Sequence, residues 1–397
     1  MTGLLTIEEA LARILELAQP LPVETVSVAE AAGRVLREPA LSRVDLPPFA
    51  SSAMDGFALR SFETPGELPV VFRVAAGAPA PGPLPAGAAA GIATGGAVPD
   101  EADAVVPIEQ VVDRGARVEI HTAVPSGQHI RLRGGDVREG DVVMDAGWHV
   151  GAAQIGALAA AGVAEVRCSI RPRVSVLATG SELTPAGEPL AHGQIYESNR
   201  AMIAAVLRRA GARVEVLPVV DDDESAHRAA LERGLAADVL VTSGGVSMGP
   251  HDLVRKVAAE LGVEEVFWGV AIKPGKPLSF GVRDTTLVFG LPGNPVSSLV
   301  GSLLFVCPAL LALQGSRSVG PAYEHGRANR AIRQNQARDE FVRASRIPRS
   351  DAVYLQPVSG QESHMIVRAA SADALVHVAR GEGEIPAHAA VRYLTLD

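Results

Sequence analysis

The sequence predicts a multidomain α/β-plus-β protein, with a central three-layer α/β domain between β-rich regions. The chain of 397 residues is too long for one compact core, so two to four domains are expected. Between residues 172 and 315, apolar strands alternate with amphipathic helices, which is typical of a mostly parallel sheet covered on both faces. Short alternating segments on either side predict N-terminal β-rich or α+β modules and a C-terminal small barrel or sandwich.

The central region is predicted element by element. The strands are expected at 173–180, 213–220, 238–245 and 286–293, and the helices at 199–212, 224–236, 251–262 and 296–313. Four loops that follow strands contain glycine or acidic residues: "ATGSEL", "VVDDDE", "SGGVSMGPHD" and "GLPGNP". Because the carboxyl ends of parallel strands meet at one edge of a sheet, these loops are expected to form one composite ligand site.

The flanking regions contain short segments of β type. Before residue 171, strands are predicted at 70–77 and 117–124, between turns rich in glycine and proline. After about residue 319, strands are predicted at 340–347, 352–358, 364–370 and 390–396. Of the two forms that suit these short C-terminal strands, we expect the barrel.

Composition excludes several functional classes. Hydrophobic residues make up 47% of the chain and charged residues 20%, as in soluble globular proteins. A net charge of −9 and an aromatic content of 4% argue against a nucleic-acid-binding surface. The cysteines, Cys168 and Cys307, form no C-x-x-C motif, which argues against disulfide scaffolding, zinc sites and iron–sulfur ligation.

The first helix and the most apolar segment bear on localisation. Thr6 and Glu9 have the spacing of a capping box, followed by one apolar helical face, and no signal peptide is apparent. The uncharged segment 296–313 is shorter than the roughly 20 residues that a membrane span needs, and Pro308 interrupts it. A buried helix is therefore predicted there, in a cytoplasmic protein that does not enter a membrane.

Two glycine-containing loops have the form of anion sites. "SGGVSMGPHD" lies between a buried strand and a helix start, where free backbone N–H groups and the helix dipole favour anions. It matches neither the P-loop nor the dinucleotide fingerprint. "GLPGNPVSS", taken alone, is better explained as a rigid turn in which Asn294 or Ser297 caps a helix.

The segment "AIKPGKPLSF" contains two of the chain's three lysines. Among 36 basic residues only Lys256, Lys273 and Lys276 are lysines, and the last two fall within a stretch of four residues. Pro274 and Pro277 restrict the backbone, so the two ammonium groups are expected close together. Like charges held close repel unless an anion lies between them, and a compact ammonium can approach an oxyanion from any side. The segment therefore predicts an oxyanion site.

Several acidic and hydroxyl residues occupy loops of the same kind. They are Asp55 in "SSAMDGFALR", Thr94 in "IATGG", Asp136 in "RGGD" and Glu182 in "ATGSEL". Taken singly, each fits a turn or cap residue, and for Asp221 and Asp223 in "DDDE" helix capping is the favoured interpretation. No histidine pair has zinc-site spacing.

Taken together and in order, the motifs resemble those of the molybdopterin molybdenumtransferases, the MoeA and gephyrin E-domain family. The ordered set is "SSAMDGFA", "IATGG", "RLRGGD", "LATGSEL", "IYESNR", "SGGVSMGPHD", "IKPGKP" and "LPGNP". This chain has Ser51 and Phe57 where the family usually has Asn and Tyr, and Gly96 follows its Thr–Gly. The resemblance is strongest between residues 45 and 313.

The resemblance implies a reaction and a set of site residues. The family joins molybdate to adenylylated molybdopterin with Mg²⁺ and releases AMP and molybdenum cofactor. The matching active-site positions are Asp55, Thr94, Asp136, Glu182, Asp222 and Asp252, of which Glu182, Asp222 and Asp252 would bind the metal. The matching pterin and molybdate positions are Ser243, Gly244, Gly245, Ser247, Lys273, Lys276, Pro277, Pro292, Gly293, Asn294, Pro295, Arg343 and Ser363.

The resemblance also implies an assembly. The chain would form a homodimer whose sites are shared between protomers, take substrate from a molybdopterin adenylyltransferase and pass cofactor to molybdoenzymes. The expected domains are 1–171, with an insert at roughly 46–136, the molybdopterin-binding fold at 172–318, and the barrel at 319–397. Two alternatives are a molybdopterin adenylyltransferase, which shares the α/β domain, and a non-catalytic scaffold of the gephyrin type.

Overall fold

The structure is a computed structural model that describes residues 3–220, 223–245 and 253–396. The chain divides into two compact units. Unit 1 consists of Met1–Glu24, Gly33–Arg37 and Ser169–Asp397, and unit 2 of Thr25–Ala32 and Glu38–Cys168. The domain limits expected from the sequence, at 171/172 and 318/319, stay a prediction.

The helices and strands of the described residues are as follows. The helices are α1 (Ile7–Leu17), α2 (Ala152–Ala160), α3 (Asn199–Arg209), α4 (Glu224–Gly234), α5 (Leu253–Glu260), α6 (Pro295–Gly301), α7 (Cys307–Leu313) and α8 (Ile366–Ala369). The strands up to residue 169 are β1 (Val23–Ser27), β2 (Ala40–Leu41), β3 (Ser51–Ser52), β4 (Gly56–Leu59), β5 (Gly66–Val74), β6 (Ala89–Ile92), β7 (Ala104–Pro107), β8 (Val111–Asp113), β9 (Arg117–Ile120), β10 (Ile130–Arg131), β11 (Val142–Met144) and β12 (Glu165–Ser169). The later strands are β13 (Arg173–Ala178), β14 (Leu183–Thr184), β15 (Ile195–Tyr196), β16 (Arg213–Val216), β17 (Val239–Ser243), β18 (Glu264–Trp268), β19 (Ile272–Lys273), β20 (Ser279–Arg283), β21 (Thr286–Leu291), β22 (Glu324–Ala328), β23 (Ile332–Arg333), β24 (Asp339–Pro348), β25 (Val353–Pro357), β26 (Ala374–Val378), β27 (Glu384–Ile385) and β28 (Ala390–Thr395).

Unit 2 is built on a mixed sheet with the strand order β7-β4-β6-β5-β9-β8. Strands β5 and β6 are parallel, and the other neighbours are antiparallel. Phe57 and Leu59 on β4 are fully buried in its core. Gly56 cannot be replaced without a shift, because a Cβ there would lie 2.0 Å from the carbonyl oxygen of Val106 on β7. The predicted β-rich N-terminal region is confirmed.

The central sheet of unit 1 has the strand order β16-β13-β17-β21-β20-β18. Its first four strands are parallel, and β20 and β18 continue it in antiparallel fashion. Val176 on β13 and Val241 on β17 are fully buried, as is Phe289 on β21. The predicted α/β domain with a mostly parallel sheet is confirmed, and the antiparallel edge is an addition to it.

The capping box and the long apolar helix occur where the sequence predicts them. The Thr6 hydroxyl accepts the Glu9 backbone N–H at 3.1 Å, and the Glu9 carboxylate accepts the Thr6 N–H at 2.8 Å. Residues 295–313 form α6, a π-helical turn at Ser302–Val306, and α7. Among the described helices, this stretch alone is long and apolar enough to span a membrane, but 72% of its most apolar window is buried. It therefore packs as a core helix.

The C-terminal region forms a closed barrel with the strand order β24-β25-β22-β28-β26, in which β26 pairs again with β24. The strand predicted at 364–370 is wrong, because that stretch contains the short helix α8. The Arg343 guanidinium donates hydrogen bonds to the carbonyl groups of Gly360, Glu362 and Met365, at 2.6, 3.1 and 2.8 Å. Within 364–370, the Met365 carbonyl therefore bonds to Arg343 and not to a neighbouring strand.

Candidate functional site

The loops after β13, β17 and β21, three of the four that the sequence predicts for a composite site, line one cavity of about 780 Å³. We call this space the loop cavity. The fourth loop, "VVDDDE", contributes no described residue to the lining, and its residues 221 and 222 lie outside the described residues. The predicted site residues that line it are Glu182, Ser243, Gly244, Gly245, Pro277, Pro292, Gly293, Asn294 and Pro295. Asp222, Ser247 and Asp252 lie outside the described residues.

Glycine is required where the loops approach one another. Gly244 has φ +90°, and a Cβ there would lie 2.9 Å from the carbonyl oxygen of Thr179. A Cβ on Gly245, with φ +64°, would lie 2.4 Å from a methyl group of Val254. A Cβ on Gly293 would lie 3.9 Å from the Gly244 Cα atom, so the loops after β17 and β21 are neighbours. Only glycine combines a positive φ with so close an approach.

Asn199, at the start of α3, joins these loops and was not predicted as a site residue. Its side-chain Nδ2 donates to the Ser243 hydroxyl at 2.8 Å and to the Gly293 carbonyl at 2.7 Å. The Ser243 hydroxyl also donates to the Pro292 carbonyl at 3.3 Å. Asn199 is 8% exposed and lines the loop cavity. Its amide therefore sets the spacing between two loops that form the cavity wall.

Replacing Asn199 by alanine is expected to destabilise the protein by about 1–3 kcal/mol, because the buried Ser243 hydroxyl and the Gly293 carbonyl lose their donor. Ligand affinity at the loop cavity is expected to fall as well, since the loops lose their common attachment. Chemical denaturation of Asn199→Ala and of Asn329→Ala measures the first effect. Asn329 donates to Gln356 in the barrel, away from the cavity lining, and is the matched control. Equal stability of Asn199→Ala and unaltered protein would contradict this role.

Glu182 contributes an exposed carboxylate to the loop cavity. The carboxylate lies against Gly180, and a Cβ on Gly180 would lie 2.6–2.8 Å from the carboxylate atoms. Carboxylate oxygens are ligands that Mg²⁺ accepts, usually together with water and substrate phosphates. Within residues 3–220, 223–245 and 253–396, no group of three or more His, Cys, Asp or Glu side chains has metal-site geometry. Glu182 thus fits a single carboxylate contact to such an ion.

Asp223 caps α4, as expected from the sequence. Its carboxylate accepts the Ser225 hydroxyl at 2.6 Å and the Ala226 backbone N–H at 2.8 Å. The Ser225 hydroxyl and then that N–H hold the pKa of Asp223 below its usual value. Asp223 is therefore engaged in the helix start.

A loop of the C-terminal region, residues 360–366, closes one side of the loop cavity. His364 and Ile366 line the cavity, and the Asn294 side chain donates to the Ser363 hydroxyl at 2.9 Å. Asn294 is the N-cap residue of α6 but makes no side-chain capping bond. Instead, the Ser363 carbonyl accepts the Val296 N–H at 3.1 Å. Ser363 thus lies beside the cavity, and the contributions of His364 and Ile366 were missed.

Arg343 holds the loop of residues 360–366 in position through hydrogen bonds. The side chain is fully buried, and the loss of hydration lowers its pKa. Its Nε donates to the Gln361 side chain at 3.4 Å, and its terminal nitrogens donate to the three carbonyls named above. The structure therefore gives Arg343 a positioning role for the loop that carries Ser363.

The two lysines of "KPGKP" have different surroundings. The Lys273 ammonium lies 3.0 Å from the Glu340 carboxylate, because β19 pairs with β24 and places these residues side by side. Lys276 is exposed, and neither lysine is among the residues lining the loop cavity. A carboxylate of the protein therefore already accompanies one of the two predicted oxyanion donors.

In unit 2, Asp55 and Thr94 are in direct contact. The Asp55 carboxylate accepts the Thr94 backbone N–H at 2.7 Å. This bond, followed by one from the Thr94 hydroxyl, lowers the pKa of Asp55. Asp55 precedes Gly56 at the start of β4, whose close packing against β7 fixes the position of the carboxylate. The Asp55 carboxylate is therefore ionised and held in a fixed position by Thr94.

Asp136 lies on another loop of unit 2. Its backbone N–H donates to the Leu46 carbonyl at 2.9 Å, and Gly134 N–H donates to the Pro47 carbonyl at 2.9 Å. The Asp136 side chain is exposed and makes no hydrogen bond to Asp55 or Thr94, all three of which are described residues. The loop is fixed, and its carboxylate faces solvent.

Comparison with known proteins follows the same order along the chain. Residues 5–162 match the model of the MoeA N-terminal region (domain I and II), residues 175–312 match a "Probable molybdopterin binding domain", and residues 325–396 match the MoeA C-terminal region (domain IV). The fold and the loop cavity thus define a protein of the molybdopterin-biosynthesis class.

Individual relatives narrow this class. The chain is 34% identical to a molybdopterin molybdenumtransferase of Haemophilus influenzae, over 97% of this chain and 96% of the relative. It is 38% identical to molybdopterin molybdenumtransferase 2 of Mycobacterium tuberculosis, over 78% of each chain. A solved molybdopterin biosynthesis MoeA protein of Pyrococcus horikoshii superposes with a TM-score of 0.84 and 26% identity, over 98% and 99% of the two chains. The chain belongs to the MoeA family of molybdopterin molybdenumtransferases.

Proposed function

We propose that this protein is a cytoplasmic molybdopterin molybdenumtransferase that transfers molybdate to adenylylated molybdopterin and releases AMP. The observation that carries the proposal is the loop cavity, in which the "ATGSEL", "SGG" and "LPGNP" loops converge at the carboxyl ends of parallel strands. Relatives that cover nearly the whole chain bear that name. The adenylyltransferase alternative leaves unit 2 without a role, and the scaffold alternative leaves the Asp55–Thr94 pair and Glu182 without one.

In this proposal the residues of unit 1 hold the two anionic substrates. The backbone N–H group of Gly245 would face the phosphate groups, and Lys273 and Lys276 would attract the molybdate oxygens. Ser363 and Asn294 would limit the space on the barrel side. Mg²⁺, bound by Glu182, Asp222 and Asp252, would supply positive charge that polarises the phosphoanhydride.

The residues of unit 2 would complete each site from the other protomer of a homodimer. Asp55 is ionised and held by Thr94, so it can accept a hydrogen bond from, or orient, a water or oxo group near the anhydride. Asp136 would lie beside it. Substrate would arrive from a molybdopterin adenylyltransferase, and the cofactor would pass to molybdoenzymes.

Molybdate-dependent release of AMP tests this function. Purified protein is incubated with adenylylated molybdopterin and Mg²⁺, with and without molybdate, and AMP is measured. The proposal predicts release that requires molybdate. Consumption of ATP with unadenylylated molybdopterin would instead support the adenylyltransferase, and the absence of both activities would support a scaffold.

The two lysines of "KPGKP" are expected to affect the dependence of AMP release on molybdate concentration. Lys273→Arg and Lys276→Arg are each expected to raise the molybdate concentration needed for half-maximal AMP release, although the charge is kept. A planar guanidinium is larger than an ammonium and presents its donors in a fixed fork. Lys256→Arg is the control, because Lys256 pairs with Glu224 on the helical surface. An unchanged molybdate dependence in both variants would remove the lysines from the oxyanion site.

A further inference from the structure

His227 lies on the wall of the loop cavity, and the proposed reaction gives it no role. It belongs to α4 and is 1% exposed. We propose that the Nε2 atom of His227 accepts a hydrogen bond from an amino or ring N–H group of the substrate's heterocycle. That this heterocycle belongs to adenylylated molybdopterin rests on the proposed function, whereas the acceptor follows from the contacts of His227 itself.

The first argument is the position of His227 on the buried face of α4. The other buried residues of this helix, Leu231 and Gly234, follow it by four and seven positions, so all three share one helical face. Such a face normally packs apolar side chains against a core, as Leu231 does. A polar ring in this position costs free energy unless its nitrogens are hydrogen-bonded. An apolar residue would therefore serve packing better than His227 does.

The second argument is the state of the two ring nitrogens. Nδ1 lies 2.8 Å from the Asp223 carbonyl oxygen. Because a carbonyl oxygen only accepts, Nδ1 carries the proton, and Nε2 of the neutral ring presents a lone pair. Within residues 3–220, 223–245 and 253–396, no residue forms a hydrogen bond or an ion pair with Nε2. The ring is thus held through one nitrogen and keeps an unused acceptor at the other.

A second residue of the same lining also has an acceptor without a donor. Asn199 uses its Nδ2 for the bonds to Ser243 and Gly293, and its Oδ1 is buried with no partner in the part of the chain that the structure describes. Buried polar atoms are normally paired. Two acceptors on residues of one cavity wall favour a ligand that has N–H groups.

The chemistry of the lining indicates which part of the substrate His227 contacts. A lone pair repels the oxygens of phosphate and molybdate and requires a donor. Ile195 and Tyr196, which are 55% and 48% exposed, line the same cavity, and the Tyr196 hydroxyl donates to the Glu188 carbonyl at 3.0 Å. Exposed apolar surface beside a few polar groups suits a flat ring system. A heterocycle with an amino group has both the apolar faces and the N–H donors that these residues require.

Equilibrium binding of two probes, pterin and AMP, tests the proposal. Each contains one of the two heterocycles of the substrate, and each is titrated alone into the full chain without molybdate. His227→Leu removes the acceptor and suits an apolar helix face, whereas His227→Gln keeps a side-chain oxygen at a similar reach. His325→Leu is the control, because His325 is an exposed residue of β22 outside the cavity lining. Thermal unfolding checks that each variant is folded.

His227→Leu is expected to bind pterin or AMP roughly three- to tenfold more weakly, the net contribution of one hydrogen bond, while His227→Gln and His325→Leu lose little. Weaker binding of pterin assigns the pterin ring, and weaker binding of AMP alone assigns adenine. The proposal is overturned if neither probe binds the unaltered chain saturably, or if His227→Leu binds both as tightly as His325→Leu. It is also overturned if His227→Gln loses as much affinity as His227→Leu.

Nitrogen NMR of the unaltered chain provides an independent measurement. The Nε2 signal of His227, identified as the one missing from His227→Gln, is expected to move when the bound probe donates a hydrogen bond to it. An unchanged signal at saturation with both probes contradicts the proposal. Neither measurement involves molybdate or turnover, so failure of molybdate-dependent AMP release leaves their outcome unaffected.

Discussion

Asp222→Asn and Asp252→Asn are expected to bind adenylylated molybdopterin and to release AMP on the order of 100-fold more slowly than the unaltered protein, the usual effect of removing one group that stabilises charge. Each change keeps the shape of the side chain and removes the negative charge that would hold Mg²⁺. Both positions lie outside the described residues, so the expectation rests on the motifs "VVDDDE" and "SGGVSMGPHD" and on membership of the family.

Asp223→Asn is the matched control, one residue from Asp222. The Asp223 carboxylate is bound to Ser225 and Ala226 at the start of α4, so its loss is expected to lower thermal stability slightly and leave turnover unchanged. Stopped-flow measurement of AMP release from pre-bound substrate separates binding from turnover. Wild-type turnover in Asp222→Asn or Asp252→Asn would remove that residue from the site, and slow turnover in Asp223→Asn would show that the loop, not the charge, is at fault.

Mixing two inactive proteins is expected to restore activity if each site is shared between protomers. Asp55→Ala alters unit 2, and Asp252→Ala alters the opposite half of the proposed site. In a two-fold dimer of one copy of each, one site carries both changes and the other carries neither. When the two proteins are unfolded together and refolded, half of the dimers are mixed, so roughly a quarter of wild-type activity should return.

A second mixture provides the control for this experiment. Glu182→Ala and Asp252→Ala both alter the half of the site contributed by unit 1, so no arrangement of their mixed dimer contains an intact site. That mixture is expected to stay inactive. If the Asp55→Ala and Asp252→Ala mixture also stays inactive, while unaltered protein refolded in parallel regains activity, the site is not shared between protomers.

Much of the central domain can be predicted from the sequence because its parallel strands are short apolar runs between amphipathic helices. The antiparallel edge was missed. Strand β20 contains Gly281, where a Cβ would lie 2.7 Å from the Glu264 carbonyl oxygen, and a glycine in a strand weakens the apolar pattern. Strand β19 has only two residues, Ile272 and Lys273, and no periodicity identifies a pairing of that length.

The candidate site likewise contains residues that the sequence identifies and residues whose role only the structure shows. The glycines and prolines of the loops are recognisable because their backbone conformations restrict the choice of residue. Asn199 has the sequence signature of a helix start, and only the folded chain shows that its amide joins two loops. The family resemblance implies that Arg343 is an anion ligand, yet it is buried and bonded to carbonyls of residues 17 to 22 positions away. Contacts of this kind depend on tertiary structure and leave no local pattern.

The central claim is that molybdate transfer and AMP release are one reaction at the loop cavity. A single turnover with enzyme in excess of adenylylated molybdopterin, in the presence of Mg²⁺ and molybdate, tests it most directly. AMP and molybdenum-bearing pterin are measured at successive times in the same samples. We expect both products to appear at the same rate and in equal amounts, and neither to appear without molybdate. AMP released at an unchanged rate without molybdate, or molybdenum bound to pterin without AMP release, would contradict the account.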